Sequence, residues 1–384
     1  MVGMIIGVEQ QYIVKSLCYQ DLLLLFFMSL PDQAPHTAVL IGRFQPFHLG
    51  HLALLLEALH TAREVVVVLG SAWQARSPKN PWTWQERADL ITGSLPPEAA
   101  ARVHCVPVRN YYDEPRWVQA VTQAVQSQVP VGERIALVGH FKDASSNYLT
   151  HFPDWELLSL PRQGAFDGTP IREIYWNLQD LPQNTLLEQL TPLVPAAVTQ
   201  WLRAWQTDAA YEALRAEWRM LLGYQQAWAN APYPPVFVTV DGLLVCREHV
   251  LLIQRGHAPG KGLWALPGGF VEPRDTLWQS CLRELAEETG LPLTEQTLRA
   301  AHQGVEVFDH PDRSLRGRTI THVFVFHLSD SSLPAVQGGD DAAAARWLPL
   351  SELAALEGQM FEDHFHVLRR CFARFGAGPV PALL

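Results

Sequence analysis

Residues 268–291 read Gly-Gly-Phe-Val-Glu-Pro-Arg-Asp-Thr-Leu-Trp-Gln-Ser-Cys-Leu-Arg-Glu-Leu-Ala-Glu-Glu-Thr-Gly-Leu, which places a glycine turn before a helix that carries three glutamates. Glu284, Glu287 and Glu288 are spaced i, i+3 and i+4, so a helix presents them on one face. Neighbouring carboxylates repel one another, and a hard divalent cation such as Mg²⁺ relieves that repulsion. The pattern therefore predicts a metal site for phosphate chemistry.

The same stretch resembles the signature of the Nudix hydrolases, in which a glycine is followed at fixed offsets by Arg-Glu-aliphatic-x-Glu-Glu-x-Gly-aliphatic. The matching positions are Gly269, Arg283, Glu284, Leu285, Glu287, Glu288, Gly290 and Leu291. The resemblance implies that Glu284, Glu287 and Glu288 bind Mg²⁺ or Mn²⁺, with Glu284 as a ligand or a base. It also implies that Arg283 orients a carboxylate and that Gly268 and Gly269 belong to the substrate site.

One position departs from that signature. Where the family has its first glutamate, this chain has Asp275, whose side chain is one methylene shorter. Asp275 either reaches Arg283 through a water molecule or caps the helix that begins beside it. An amphipathic helix with a solvated acidic face would explain the glutamates alone, but it would not explain the glycines and the arginine at fixed offsets.

A second signature lies far upstream. Residues 37–41 read as a short buried strand, the loop Gly42-Arg43-Phe44-Gln45-Pro46-Phe47-His48-Leu49-Gly50-His51 follows, and the apolar residues 52–59 read as a helix. Such a junction directs backbone N–H groups and the positive end of the helix towards an anion. His48 and His51 can donate to phosphate oxygens there, and Gly50 allows a nucleotide to approach the backbone.

This segment resembles the nucleotidyltransferase superfamily, whose His-x-Gly-His loop binds ATP phosphates, and within it the archaeal-type nicotinamide mononucleotide (NMN) adenylyltransferases. Residues 70–72, 77–87, 142–148 and 169–172 agree with that likeness, which covers residues 37–180. The resemblance implies that His48, His51 and Arg172 are catalytic. It also implies substrate contacts from Gly42, Arg43, Phe44, Gly50, Thr169 and Ile171.

An adenylyltransferase followed by a Nudix hydrolase is the layout of a family of bifunctional bacterial proteins of NAD metabolism, which the whole chain resembles. That likeness implies transfer of AMP from ATP to NMN, and Mg²⁺-dependent hydrolysis of ADP-ribose or a related ADP-linked diphosphate. Two alternatives stay open. The Nudix half could be a non-hydrolytic nucleotide sensor, which Asp275 permits, or the first domain could use another phosphorylated acceptor, against which residues 77–87 argue.

Nicotinamide is a flat cation, so its site is expected to contain an aromatic face. Trp117 lies in a segment that resembles the family's tryptophan region, although the chain has 13 tryptophans and core packing is an equal alternative. Arg76, Lys79 and Arg87 are weaker candidates for phosphate contacts because long cations are usually solvated. We expect Arg87 at the surface.

Composition limits the remaining partners. The chain has 39 acidic and 29 basic residues, a formal charge of −10, and no basic run, which argues against nucleic acid. Its five cysteines lie far apart, so neither zinc nor disulfides are predicted and a reducing cytoplasm fits. The apolar stretch 22–28 is too short to span a bilayer, so no membrane association is expected. Oligomeric state stays open, a homo-oligomer included.

Strand and helix patterns alternate through the first half of the chain. Apolar β-branched runs at 64–70, 103–108 and 134–139 are separated by helical stretches, which predicts an α/β fold with a doubly wound, Rossmann-like parallel sheet. The second half predicts an α/β Nudix fold with a mixed sheet. The predicted domains are a leader, 1–31, a nucleotidyltransferase domain with a helical extension, 32–230, and a Nudix domain, 231–384, whose first residues include helix-breaking prolines.

Overall fold

A computed structural model of the protein describes residues 35–139, 144–160, 166–177, 188–329 and 331–376. The predicted leader lies outside these residues, as do Lys142 and Asp143 of one motif. The described residues form two compact units, one within 35–73 and 79–212, the other within 74–78 and 213–376. The domain boundary at residue 231 stays a prediction.

Parallel strands form the centre of the first unit. Its described strands are β1 (Thr37–Gly42), β2 (Glu64–Leu69), β3 (Val103–Pro107), β4 (Ile135–Gly139) and β5 (Glu156–Ser159). Its described helices are α1 (Leu49–Thr61), α2 (Trp84–Thr92), α3 (Pro97–Ala100), α4 (Glu114–Gln126), α5 (Gly168–Asn177), α6 (Ala196–Trp205) and α7 (Ala209–Ala227), the last of which has residues in both units. A 3-10 helix spans Ala144–Thr150.

The described strands of this unit pair in the order β3-β2-β1-β4-β5, and every pairing is parallel. Val65 to Val68 of β2 are almost fully buried, as expected for a strand covered on both faces. The strand order reverses beside β1, and a sheet of this kind binds ligands at the carboxyl ends of its strands at such a point. The predicted doubly wound sheet is confirmed, and β1 lies where a nucleotide site is expected.

A mixed sheet forms the centre of the second unit. Its described strands are β6 (Val236–Cys246), β7 (His249–Arg255), β8 (Trp264–Ala265), β9 (Gly268–Phe270), β10 (His302–Phe308), β11 (Arg318–Leu328) and β12 (Ala342–Pro349). Its described helices are α8 (Leu277–Thr289), α9 (Glu295–Ala301) and α10 (His364–Phe375), with a 3-10 helix at Leu350–Gln359. Strands β6 and β11 are parallel while the other pairings are antiparallel, which confirms the predicted mixed sheet.

Two apolar layers cover this sheet. Leu244 and Leu251 point towards the layer that contains Leu285 of α8, while their sequence neighbours Leu243 and Val250 belong to the layer with α10. The turn between β6 and β7, predicted at Arg247 and Glu248, is confirmed, and both residues have positive φ, 47° and 60°. The signature helix is therefore fixed against one face of the sheet.

Four of the five cysteines lie within the described residues. Within the described residues, Cys105, Cys246, Cys281 and Cys371 are free thiols. Burial raises the pKa of the Cys105 and Cys371 thiols to about 12, which keeps them protonated at neutral pH. A search of the described helices finds none that combines the length and the apolar composition of a membrane span.

Candidate active sites

The predicted histidine pair forms the first turn of α1, after β1. The N–H of His51 donates to Nδ1 of His48, the N-cap residue, over 3.3 Å, and the N–H of His48 donates to Nδ1 of His51 over the same distance. The rings stack with their centroids 3.5 Å apart. Because each Nδ1 accepts, the proton of each neutral ring is on Nε2, the nitrogen that would donate to a phosphate. The structure thus brings the two imidazoles together at a helix N-terminus.

The loop between β1 and the histidines is tightly packed. Phe44 is only 3% exposed, has a φ of 51°, and its ring contacts that of His51 edge-on at 4.7 Å. A Cβ at Gly42 would lie 3.0 Å from the Phe44 ring, and one at Gly50 would lie 3.2 Å from Cβ of Phe166. Both glycines are therefore needed for this packing, and Arg43 is the exposed residue of the loop.

Arg172 is buried beneath the same loop. Its Nη1 donates to the carbonyl of Gln45 over 2.5 Å and its Nη2 donates to Oγ1 of Thr169 over 3.0 Å. Burial and the nearby Arg43 lower the pKa of Arg172 to about 10, so it remains charged at neutral pH. Ile171 beside it is 2% exposed, which leaves only its backbone to meet a ligand. The structure brings Arg172 and Thr169 to the histidine loop.

The expectation that Arg87 lies at the surface is wrong. Its side chain is fully buried, with 0% exposure, on α2. Its Nη1 donates to the carbonyls of Arg43, over 2.5 Å, and Gly70, over 2.8 Å, and its Nε donates to the carbonyl of Thr83 over 3.2 Å. A guanidinium can be buried when carbonyl oxygens satisfy its donors, and sequence reasoning missed this because those acceptors are remote in the chain.

Trp117 lies half-buried on α4. Its ring contacts those of Tyr148 and Phe152 edge-on, with centroids 6.0 Å and 5.9 Å away, and it packs against the apolar core of the sheet. The Trp117 side chain therefore packs against the core and is also partly exposed. Its role towards nicotinamide stays a prediction.

The glycine turn of the second unit sits under the glutamates of α8. The N–H of Gly268 donates to Oε2 of Glu288 over 2.8 Å. A Cβ at Gly269 would lie 2.5 Å from Oε1 of Glu284, and one at Gly268 would lie 2.2 Å from the carbonyl of Val240. The glycines are therefore required because two carboxylates and a neighbouring strand approach the turn closely.

Two of the signature glutamates are buried and one is exposed. Glu288 is 3% exposed and Glu284 is 8% exposed, whereas the Glu287 side chain is 43% exposed. Burial raises the pKa of Glu288 to about 8, and it also raises that of Glu284. Burial disfavours the charged form of both carboxylates, and a cation bound by them would stabilise that form.

Arg283 lies between the carboxylates of Glu284 and Glu287. Its Nη2 is 2.9 Å from Oε1 of Glu284, and its Nη1 donates to Oε2 of Glu287 over 2.8 Å. Across the described residues, no group of three or more His, Cys, Asp or Glu side chains is already gathered as a metal site. The three glutamates share one helix, but Arg283 holds Glu287 to one side. Their assignment as metal ligands stays a prediction.

Asp275 was predicted either to reach Arg283 through a water molecule or to cap α8, and it lies beside Arg283. Thr276 caps α8 and forms the predicted capping box with Gln279, so Asp275 is not the cap. Its Oδ2 accepts from Oγ of Ser280 over 3.2 Å and lies 3.6 Å from Nε of Arg283. That Nε has no hydrogen-bond partner among the described residues. The shorter side chain therefore stops just short of Arg283.

A buried polar network lies behind the signature, and its residues Asp241, Thr321 and Arg313 were not predicted. Asp241 of β6 is fully buried and accepts from the hydroxyl of Thr321, and burial raises its pKa to about 6. Nearby, Arg313 forms a buried pair with Asp363, at 2.9 Å, and Glu362 accepts from Oγ of Ser314 over 2.7 Å. No local sequence pattern distinguishes these residues because they come from separate strands and loops.

Two families match separate parts of the chain. Residues 236–371 match the NUDIX domain family, and residues 39–111 match the cytidylyltransferase-like family. The chain is 36% identical over 182 residues to a nicotinamide/nicotinic acid mononucleotide adenylyltransferase from Acinetobacter baylyi, covering 47% of this chain and 92% of that protein. It is 40% identical over 119 residues to an ADP-ribose pyrophosphatase from Methanocaldococcus jannaschii, covering 31% of this chain and 65% of that protein.

Solved structures match both units together. A bifunctional NMN adenylyltransferase/ADP-ribose pyrophosphatase from Francisella tularensis is 34% identical with a TM-score of 0.82, covering 89% of this chain and 100% of that one. A structure described in the same words, complexed with AMP and a Mn ion, is 33% identical with a TM-score of 0.81 and the same coverage. The likeness extends over the whole length of those chains.

Proposed function

The chain belongs to the family of bifunctional NMN adenylyltransferase/ADP-ribose pyrophosphatases, and from that premise we propose that it carries out both reactions. The first unit transfers AMP from ATP to NMN, which gives NAD and pyrophosphate. The second unit hydrolyses ADP-ribose to AMP and ribose 5-phosphate. The observation that supports this most is that each unit places its signature residues together, the histidine pair at the N-terminus of α1 and the glycine turn on Glu288 of α8.

In the first reaction an NMN phosphate oxygen attacks the α-phosphorus of ATP. The new bond forms as the bond from the α-phosphorus to the bridging oxygen breaks, and pyrophosphate leaves with that oxygen. Such a transfer needs little covalent help, because positioning and charge stabilisation supply most of the catalysis. The site must therefore hold the phosphates and stabilise negative charge on the departing group.

His48 and His51 would provide two Nε2–H donors to the α- and β-phosphates of ATP. Their Nδ1 atoms are fixed by backbone N–H groups, so the rings need no reorganisation when ATP binds. Arg43, exposed in the loop, would meet the departing pyrophosphate. Arg172 adds a charge from below and holds Gln45 and Thr169 in place.

Trp117 would provide an aromatic face for the nicotinamide ring, which carries a positive charge in NMN. Its half-buried position against Tyr148 and Phe152 supports this role, because a ring held edge-on by two others presents a fixed face. Lowered affinity for NMN with unchanged affinity for ATP in Trp117→Leu would support the assignment.

Glu284, Glu287 and Glu288 would hold a divalent cation in the second reaction, and Mg²⁺ is our proposal for its identity. The donor set fits, since all three donors are carboxylates and burial raises the pKa of Glu288 to about 8. When bound, the cation would neutralise the diphosphate and lower the pKa of a water molecule.

The chain's own residues would prepare that site. The Gly268 N–H fixes one oxygen of Glu288 and thereby directs the other. Arg283 joins Glu284 to Glu287 and would release Glu287 when a cation takes its place. Glycine at 268 and 269 keeps side chains away from the carboxylates, so the diphosphate can approach them.

Two incubations test the proposal directly. The protein is given NMN, ATP and Mg²⁺, and separately ADP-ribose with Mg²⁺ or Mn²⁺, and the products are identified by chromatography and mass spectrometry. NAD with pyrophosphate, and AMP with ribose 5-phosphate, are the expected products. Binding of ADP-ribose in calorimetry without hydrolysis in any metal would instead support the nucleotide-sensor alternative, which Asp275 in the signature position permits.

A further inference from the structure

Arg87 joins the two loops that follow β1 and β2. Its guanidinium donates to the carbonyl of Arg43 after β1 and to those of Gly70 and Ser71 after β2, the last over 3.4 Å. Its Nε donates to the carbonyl of Thr83, the residue that caps the helix carrying it. One rigid, planar group therefore fixes the loops and the helix relative to one another.

Both loops contain backbone that needs such support. Phe44, next to the Arg43 carbonyl, has a φ of 51°, and Ser71 has a φ of 52°. A residue other than glycine in this conformation persists only where surrounding contacts hold it. The carbonyls that accept from the two Nη atoms of Arg87 belong to these residues or to their neighbours, so these bonds act where the backbone is strained.

The position of the loops determines the position of the phosphate donors. The Arg43 loop leads directly to His48, the N-cap of α1, and Phe44 packs against the His51 ring. The second loop is bound to the first by the N–H of Gly70, which donates to the carbonyl of Gly42 over 2.9 Å. A shift in either loop would therefore move the histidine pair.

We propose that Arg87 is a positioning residue of the first site, which holds the loops after β1 and β2 in the conformation that receives the ATP phosphates. The proposal rests on the proposed adenylyl transfer. Arg87 is fully buried and would not touch substrate, so it acts through the loops. Lysine at this position would keep the charge, but its three donors share one nitrogen and cannot span the carbonyls that the three nitrogens of the planar guanidinium reach.

Arg102 provides a matched control within the same unit. Its guanidinium also donates to backbone carbonyls, those of Arg63, Leu59 and Ala62, over 2.8, 2.7 and 2.6 Å. These contacts lie at the amino ends of β2 and β3, whereas the Arg87 contacts lie at the carboxyl ends of β1 and β2. The same substitution thus removes the same kind of bonds from the opposite edge of the sheet.

The experiment compares Arg87→Lys and Arg102→Lys with the wild-type full chain. NAD synthesis is measured at several ATP and NMN concentrations below the melting temperature of each variant, and melting is followed by circular dichroism. We expect Arg87→Lys to lower kcat/KM for ATP by about 100-fold, since a small displacement of catalytic groups has an effect of that size. The KM for ATP rises as well, and Arg102→Lys leaves both constants unchanged.

The KM separates positioning from loss of folded protein. Partial unfolding would lower only the apparent kcat, because the remaining folded molecules bind ATP normally. Wild-type KM for ATP in Arg87→Lys, or the same kinetic loss in Arg102→Lys, would overturn the proposal. So would failure of both Arg87→Lys and Arg87→Gln to fold at low temperature, which would make Arg87 a folding residue. Wild-type protein that makes no NAD would instead reject the proposed function itself.

Discussion

The buried side chains around the two candidate sites carry opposite charges. In the first unit, buried Arg87 and Arg172 donate to backbone carbonyls around a loop that ends in two histidines. In the second unit the buried groups at the turn are acids, Glu284 and Glu288. The buried charges of the first site are thus cationic, whereas those of the second are acidic, with Arg283 paired to Glu284 and Glu287 beside them.

The contrast follows from the different chemical requirements of the two reactions. Adenylyl transfer needs fixed donors for phosphate oxygens, which side chains and backbone N–H groups supply. Hydrolysis at a diphosphate needs an activated water, and a cation held by carboxylates supplies that. Burial raises the pKa of Glu288 to about 8, so the charged form of this carboxylate is disfavoured, and a bound cation would stabilise it. A substitution in one site is thus expected to remove the reaction of that site and to leave the other reaction unchanged.

Removal of a buried acid is expected to have the largest effect. Glu288→Gln keeps the shape of the side chain but deletes a ligand charge, so ADP-ribose hydrolysis falls by at least about 10³-fold, the rate equivalent of several kcal/mol of charge stabilisation. NAD synthesis stays at the wild-type level. Both activities are measured on one preparation, and Glu295→Gln, on the exposed part of α9, serves as the control.

The same variant tests the need for a cation. Mn²⁺ is expected to raise the melting temperature of the wild-type protein, because a ligand that binds only the folded state stabilises it. Glu288→Gln loses this increase. An equal increase in both proteins, or unchanged hydrolysis in the variant, would contradict the assignment of Glu288 to the metal site.

Removal of a histidine is expected to have the next largest effect, in the other unit. His51→Ala deletes one fixed donor and lowers NAD synthesis by about 10²- to 10³-fold, while ADP-ribose hydrolysis is unaffected. His60, in the last turn of the same helix, provides the control His60→Ala. Wild-type NAD synthesis in His51→Ala would show that the histidine pair does not bind the phosphates.

A buried acid behind the glycine turn, Asp241 of β6, which pairs with Gly268 of β9, sharpens the comparison through pH. Burial raises the pKa of Asp241 to about 6, from 3.8 in the unfolded chain, so protonation favours the folded state. Its contribution to stability is full below about pH 4 and is lost as the pH rises through about 6. Asp241→Asn mimics the protonated form and still accepts from Thr321, so it stabilises the second unit at pH 7 by ~3 kcal/mol.

The measurement is denaturant unfolding between pH 4 and 8, followed in the second unit. Wild-type stability is expected to fall across this window more steeply than that of Asp241→Asn. Parallel pH profiles for the two proteins would show that Asp241 does not change protonation with folding.

The smallest effect is expected at Asp275. Its Oδ2 lies 3.6 Å from Nε of Arg283, and a glutamate would close that gap with one methylene. Asp275→Glu is therefore expected to raise hydrolysis or metal affinity by at most about tenfold, ~1.4 kcal/mol. Asp275→Asn, which keeps the length, gives no increase. A decrease in Asp275→Glu would mean that the bond from Ser280 matters more than the contact with Arg283.

Elements that are specified by residues a few positions apart in the chain could be predicted from the sequence. The capping box of Thr276 and Gln279, the turn at Arg247 and Glu248, and the strand at β2 all follow from residues close together in the chain. Gly268 and Gly269 were predicted to belong to the substrate site for the same reason, since they stand at fixed offsets from the glutamates. What the spacing did not reveal is that Arg283 separates Glu287 from the buried glutamates.

Long-range polar contacts could not be predicted. Arg87 was expected at the surface because a lone arginine on a helix usually is, but its acceptors are the carbonyls of Arg43 and Gly70, far away in sequence. Asp241 and Thr321 meet only because β6 pairs with β11. Both cases depend on the fold bringing together groups that no spacing rule connects.

The most direct test of two independent sites is to assay His51→Ala and Glu288→Gln side by side with both substrate sets. His51→Ala is expected to lose NAD synthesis and keep ADP-ribose hydrolysis, and Glu288→Gln is expected to do the reverse. Loss of both activities in either variant, or of neither in both, would contradict the account of one cationic and one acidic site.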